Sequence, residues 1–399
     1  MSVGAQYGNL DELLLRTYDA GFISENENLN APFLSMIERN TDVQFNGADF
    51  RFGVGLDGNE TGGYSTENAQ FGAPIVENTD QAVVTPKVFR WPGRVSGLAL
   101  ATARGKGAFA EVLSQAMSKI VKRASHYREM AQFQTGTGQR GVVSSVSGQV
   151  ITLTAGSQVS AMLKNRFVVF YTSGTYTAGP VQITKSDWAN NQITVSGDIS
   201  AVSGSDTIHM DGVDPTLTAT ANEITGLPSL TSDGTYRSVD SSAHAEWESN
   251  SITVSAEITA DTALRLQNRI EATGGIEDQS AFKWVFGLGQ RRQIQNLGLG
   301  QQRFTGVNAS LGFTDYELNG VPCMFVYSCP DTDGYLGDWS QYQRFVVGDL
   351  QFGAHEGQVL KWATNYDAIF FYLVGYEEFS GRKRNAFGRL ASLSAPASR

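Results

Sequence analysis

Apolar and polar residues recur along this chain in two rhythms, and the places where the rhythm changes divide it. Leu10, Leu13, Leu14 and Tyr18 stand at helical spacing until Gly21 stops the run. Pro32 opens a second short helix through Phe33–Arg39, because its fixed φ suits a first helical position. Each piece is too short to hold without packing on something else, so together they read as an arm. From Val43 the period falls to two. Val43–Phe45, Phe50–Phe52 and Val83 through Trp91 alternate like strands, around a Gly/Asn/Asp-rich stretch from Gly53 to Gly72. The pattern predicts two long antiparallel strands joined by a tip. Such a ribbon has no core of its own and needs a neighbour to lie on.

The clearest element begins at Ala108. Apolar residues from Phe109 and Val112 through Met130 and Ala131 form one stripe, while Lys119, Lys122, Arg123 and Arg128 occupy the other face. About 26 residues predict a rod of roughly 40 Å, ended by Gly136 and Gly138. Residues 141–212 return to period two. Val150–Thr154, Phe167–Tyr171 and Ile193–Ser196 are separated by Gly/Ser/Asn turns, which predicts an inserted β-barrel or sandwich. A loop-rich stretch, 219–256, leads to a second amphipathic helix after Thr259, with Ala263, Leu264, Leu266 and Ile270 closed by Gly274–Gly275. A strand at Phe282–Phe286 and a short helix at Arg291–Leu297 follow. Further strands are expected at Val321–Ser328, Arg344–Val347, Ala368–Tyr376 and Phe387–Leu393. The fold class is α+β.

Composition narrows the partners. At 399 residues the chain is long enough for two or three compact units. Thirty basic against forty acidic residues give a formal net charge of −10, which excludes a strongly basic nucleic-acid-binding domain. Two cysteines, Cys323 and Cys329, are too few for a disulfide scaffold or a four-thiolate zinc site and read as small apolar fillers. Residues 1–12 lack the basic start and apolar core of a secretory signal. The longest apolar run, Ile369–Val374, is far short of a membrane span. The expectation is a soluble protein of a reducing cytoplasm, or of something assembled there.

Catalytic chemistry does not assemble. None of His126, His209, His244 and His355 lies within metal-ligand spacing of another His or Cys. There is no nucleophile elbow and no phosphate-binding Walker loop. Gly53–Gly58 and Gly136–Gly141 fit Gly-x-Gly-x-x-Gly, but neither opens a helix, so both read as turns. Asp331-Thr332-Asp333-Gly334 begins like a calcium loop, yet Tyr342 stands where the closing Glu belongs. No catalytic, cofactor-binding or metal-ligating residue is assigned, and no cofactor is expected. Arg291–Arg292 and Arg382-Lys383-Arg384 are small basic clusters, either solvated faces or, in a nucleic-acid container, phosphate-facing.

The order of these elements resembles the major capsid protein of tailed bacteriophages, the Hong Kong 97-like fold. Three stretches carry the likeness: Gly320–Pro330 with Gly334–Asp338, Ile224–Leu230 with Gly234–Asp240 and Glu246–Trp247, and Phe370–Tyr376 through Arg384–Leu390. The resemblance implies an N-terminal arm at 1–42, an extended β-ribbon loop at 43–103 and a spine helix at 104–140. It places an inserted β-barrel at 141–218 and the rest of a peripheral domain with its second helix at 219–280. An axial domain at 281–375 and a closing C-terminal strand at 376–399 complete it. It further implies pentamers and hexamers forming an icosahedral shell around double-stranded DNA, in a virion assembled in the host cytoplasm. Expected partners are other copies of the chain, a separate scaffolding protein, a portal, a decoration or cement protein, and DNA through weak nonspecific contact; no membrane is involved. Inter-subunit contacts are expected at Phe50, Phe52, Lys87, Phe89, Trp91, Lys119, Lys122, Arg123, Asp331, Asp333 and Tyr335. Arg382, Lys383 and Arg384 are expected to face DNA, and the barrel to face outward. Lys87, placed in the ribbon, is the one lysine considered for an isopeptide cross-link of the kind some relatives form, and simple solvation is the preferred reading. An encapsulin-type compartment shares the fold, and a secreted carbohydrate-binding or adhesin module is the alternative of another class.

Overall fold

A computed structural model of the chain describes residues 31–56, 64, 67, 78–98, 108–159, 162–210, 223–299, 317–353, 360–362 and 367–394. The arm helix expected around Leu10–Tyr18 and most of the ribbon tip lie outside the described residues, as does His355. Within them, a short helix α1 (Pro32–Met36) gives way to β1 (Glu38–Arg39), the two-strand pair β2 (Phe50–Gly55) and β3 (Thr79–Val84), and β4 (Lys87–Ser96). Then come α2 (Ala108–Gln132) and six strands: β5 (Gln139–Ser147), β6 (Val150–Leu153), β7 (Phe167–Thr172), β8 (Thr175–Asp187), β9 (Gln192–Ser196) and β10 (Thr207–Met210). The loop-rich stretch holds α3 (Leu227–Leu230), β11 (Thr235–Tyr236), β12 (Val239–Asp240) and β13 (Asn250–Thr253). The last part runs α4 (Ala260–Ala272), β14 (Phe282–Gly287), α5 (Gln290–Leu299), β15 (Glu317–Leu318), β16 (Val321–Val326) and β17 (Gly334–Asp338). It ends with β18 (Tyr342–Phe352), β19 (Lys361–Trp362), β20 (Ala368–Gly381) and β21 (Phe387–Ala391).

The chain divides into two compact units, Met1–Leu34 with Pro86–Glu129 and Val346–Glu377, and Ser35–Thr85 with Met130–Phe345 and Glu378–Arg399. In the first, β4 runs antiparallel to β20 over ten residue pairs, from Lys87 opposite Glu377 to Ser96 opposite Ala368. Val95, Ile369 and Phe371 are buried on one face of this sheet against Ala116, Met117 and Ile120 of α2. Phe89, Trp91 and Tyr127 gather their rings beside them, with centroids 5.4–6.2 Å apart. The fully buried Phe33 sits in this unit too, where the Glu129 carboxylate accepts the N–H groups of Phe33 and Leu34 at 2.9 and 3.2 Å. A carboxylate there satisfies orphan donors at a helix start.

In the second unit a six-stranded sheet of order β13-β21-β17-β14-β16-β15 carries one hydrophobic core. Ala263, Leu266 and Ile270 of α4 are fully buried in it, with Trp284, Phe286 and Leu336. Their spacing is the i, i+3, i+7 stripe that the sequence shows. Thr259 starts the helix with a capping box, its hydroxyl accepting the Thr262 N–H while Thr262 returns the bond. Gly274, at φ +66°, ends it. The strands β10-β5-β6-β9-β8-β7 close into a barrel, as the period-two pattern anticipated, and Ile151, Phe170, Ile183, Ile193 and Ile208 are all buried in it.

Four local expectations are revised. The second arm helix stops at Met36, because Glu38 and Arg39 become extended and pair in parallel with Gln343 and Arg344. Val43–Phe45 makes only an isolated bridge, Phe45 to Phe50. The strand expected from Val83 to Trp91 breaks at Thr85–Pro86, since proline has no N–H to give a ladder. The ribbon is therefore β2 with β3, and β4 belongs to a different sheet. Finally, β18 and β20 run well beyond Arg344–Val347 and Ala368–Tyr376.

Candidate functional site

The side chains expected at subunit contacts fall into two sets, those turned into the fold and those left at its surface. Phe50 belongs to the first. It is 4% exposed, and its ring lies 5.4 Å from Phe345 and 5.3 Å from Phe45, over the fully buried Val84. Phe52 is half-buried and stacks on the same Phe345 at 6.0 Å. Both thus hold the ribbon base to its own unit. Asp331, Asp333 and Tyr335 also turn into the fold. The Asp331 carboxylate accepts the Gly289 N–H at 3.0 Å. Asp333 accepts Arg389 at 2.8 and 3.1 Å, and the Arg389 guanidinium lies 5.9 Å above the Tyr335 ring. All three are at most 6% exposed. Burial pushes the Asp333 carboxyl up, against the pull of Arg389.

The basic cluster near the C-terminus is largely neutralised within the chain. Arg382 reaches Asp42 at 2.8 Å and Lys383 reaches Glu277 at 3.0 Å. Arg384 is 1% exposed and donates to the carbonyls of Leu230, Ser232, Gly234 and Trp247, with its guanidinium 5.5 Å from the Tyr236 ring. Arg384 therefore cannot meet phosphate. Three consecutive basic letters do not reveal that the last one turns inward.

Lys87, Phe89 and Trp91 are half-buried on β4, outside the ribbon, and Lys87 stands opposite Glu377. Lys119 and Lys122 are exposed on α2, and Arg123 is half-buried. Arg128, read as part of the same basic face, instead forms a buried, two-pronged ion pair with Glu377. The other β20 carboxylate, Glu378, is fully buried in the second unit and accepts the Thr225 N–H at 2.8 Å and Arg237 at 3.1 Å. Burial pushes its carboxyl up, opposed by Arg237.

A further ion pair tethers the barrel. Arg140, at the start of β5, is fully buried and clasps Glu223. Gln158 donates to the Ser328 carbonyl at 2.9 Å. His209 on β10 has Nδ1 3.1 Å from the Thr137 carbonyl, Nε2 3.1 Å from the Thr207 hydroxyl, and the Tyr171 ring against its edge at 4.7 Å. Burial holds its pKa below the ordinary histidine value, and the nearby Arg140 charge acts in the same direction. Gly136 and Gly138, at φ +91° and +77°, make the turn into the barrel, as expected of that glycine motif. No sequence signal paired Arg140 with Glu223 across 83 residues.

Among the described residues no group of three or more His, Cys, Asp and Glu is placed to hold a metal ion, and no helix is long and apolar enough to cross a membrane. The two cysteines are free thiols; burial pushes Cys323 up to about 12. One sheet face of the first unit carries exposed apolar side chains: Val88, Phe370, Tyr372 and Tyr376 are 36–51% exposed.

No model of a known protein family matches the sequence, and no curated protein matches it. Solved structures do. The capsid asymmetric unit of cyanophage A-1(L) superposes with a TM-score of 0.56 at 12% identity, over 98% of this chain and 98% of that one. The capsid of a native GTA particle gives 0.53 at 13% identity, over 99% and 100%. That of an empty GTA particle gives 0.51 at 12%, over 98% and 99%. Mixed α+β content and end-to-end superposition agree: the chain has the α+β fold of capsid shell chains, the Hong Kong 97-like fold, over nearly its whole length.

Proposed function

We propose that this chain is the major capsid protein of a tailed phage, assembling as pentamers and hexamers into an icosahedral shell around double-stranded DNA. The observation that carries the reading is superposition on a phage capsid chain over 98% of both chains. A shared domain alone would cover one of them in part. The role is structural, and the location is the virion. In this reading the ribbon lies over a neighbouring subunit, the arm reaches another, and the basic residues left at the surface of α2, Lys119 and Lys122, contribute to contacts between copies. Scaffolding, portal and decoration proteins are its partners during and after assembly. The net charge of −10 suits a shell whose lining holds DNA weakly and so hinders neither packaging nor ejection.

Electron microscopy of the purified recombinant chain, with and without a candidate scaffolding protein, tests this. Closed shells or capsomer rings are expected. A monomer under every condition would overturn the reading.

A further inference from the structure

Asn46 and Gly47 sit in the loop that joins Phe45 to Phe50 across their isolated bridge, just before β2. Asn46, Gly47 and Ala48 are all exposed, so water reaches them. The Asn46 side chain is nonetheless held at both ends. Its amide oxygen, Oδ1, accepts the Ala48 N–H at 3.0 Å and the Asp49 N–H at 2.9 Å. Its amide nitrogen, Nδ2, donates to the Asp49 carboxylate at 2.6 Å. Arg51 grips the same carboxylate through Nε at 2.7 Å and Nη2 at 3.1 Å. Arg51 first, and then Asn46, hold the Asp49 carboxyl below its ordinary range, against a smaller opposing effect of burial. The Gly47 N–H donates to nothing among the described residues. Gly47 stands at φ +100°, with nothing within 4 Å of where a β-carbon would be.

We propose that Asn46–Gly47 is a self-modification site, at which the fold promotes conversion of Asn46 to aspartate and isoaspartate. The backbone nitrogen of Gly47 attacks Cγ of Asn46. As the N–Cγ bond forms, negative charge develops on Oδ1, and the N–H groups of Ala48 and Asp49 are already aimed at that oxygen. The Cγ–Nδ2 bond then breaks, and the nitrogen leaves as ammonia with the hydrogen that Gly47 gives up through water. The cyclic imide that remains takes up one water. Opening at Cγ gives aspartate; opening at the Asn46 main-chain carbonyl gives isoaspartate, whose main chain runs through Cγ. Nothing beyond water is consumed. The pair Asn319–Gly320 is also exposed, but it is built differently. It forms the two-residue turn between Leu318 and Val321. Asn319 donates through Nδ2 to the Ala260 carbonyl at 3.0 Å, and its Oδ1 accepts no hydrogen bond among the described residues. It therefore lacks donors where the charge develops. At Asn46 the product sets a second carboxylate against Asp49 in place of a donor, so the turn beneath the Phe45–Phe50 bridge loosens as the chain ages.

Incubation of the purified full-length chain at mildly alkaline pH, followed by peptide mass spectrometry, tests this, with the same chain in urea as the unfolded reference. The mass gain of an amide-to-acid conversion, and a separately eluting isoaspartyl isomer, are expected at Asn46. In the folded chain they should appear about tenfold faster there than at Asn319, and no more slowly than at Asn46 in urea. In urea both pairs are stripped of their partners and should convert at similar rates. Ala48→Pro removes one of the two donors and keeps the Asn-Gly pair. It should slow Asn46 about tenfold in the fold and leave its rate in urea unchanged. The comparison within the unsubstituted chain needs no variant, so the test stands even if proline disturbs the loop. An Asn46 that converts more slowly folded than in urea, or no faster than Asn319, overturns the proposal, because the hydrogen bonds would then be shielding the amide. Neither result bears on the capsid reading.

Discussion

Arg384 shows how much one side chain can hold. Four backbone carbonyls, from Leu230, Ser232, Gly234 and Trp247, point at its guanidinium. Arg384→Ala leaves them buried without a donor and is expected to lower stability by about 3–5 kcal/mol. Arg384→Lys should recover only part of this, because an ammonium lacks the planar fork. Urea unfolding of the purified chain checks both; a loss below about 1 kcal/mol would show that water replaces the bonds. His209 gives the chain a pH dependence with a definite sign. Its pKa is held down in the fold, chiefly by burial and then by Arg140, while the Thr137 carbonyl and Glu223 offset part of the effect. The unfolded chain takes up this proton at about pH 6.5, so it binds more protons than the native state below that point. The stabilisation is complete above about pH 6.5 and is lost as pH falls from there through the folded pKa. The urea midpoint should drop over that window, and His209→Gln should flatten the drop. An equal slope in both chains would assign the dependence to other groups.

At the scale of elements, local chemistry explains most of what the sequence foretold. The capping box at Thr259 and the stripe Ala263, Leu266, Ile270 place α4 without any tertiary knowledge. Thr259→Ala should therefore destabilise the chain by about 1 kcal/mol, read as a shift in denaturant midpoint, and Thr259→Ser should not. The barrel was legible for the same reason, since its strands are short, adjacent and joined by tight turns. What stayed hidden depends on partners far along the chain. Val83 through Trp91 reads as one strand until β20, nearly 280 residues later, is available to pair with β4 beyond Pro86. Glu38 and Arg39 read as helix until β18 offers its edge. Several candidate contact residues turn inward for a related reason: periodicity says which way a residue points on its element, and says nothing of what will cover it. Asp331, Asp333 and Arg384 look like surface residues because they are charged, and each is buried by a partner at least 42 positions away.

For the whole molecule, the barrel is expected to be separable. Its two chain ends meet where Gln139 pairs with His209, so a short Gly/Ser linker can bridge them. Replacing residues 139–210 by such a linker should leave a folded body, with helical circular dichroism and a cooperative thermal transition at a lower midpoint. The lower midpoint follows from losing the Arg140–Glu223 and Gln158–Ser328 bonds. A chain without a cooperative transition would show that the barrel nucleates the rest. The capsid reading also gives the barrel's closure a meaning that it lacks in a single chain. A shell repeats every surface feature over all its subunits, so one unpaired strand would become a dense array of sticky sites, and two particles meeting could join through many of them at once. Each of the six strands has both neighbours, so the barrel presents no open strand edge for such joining. Multiplicity, which would turn a minor flaw into bulk precipitation, here multiplies nothing.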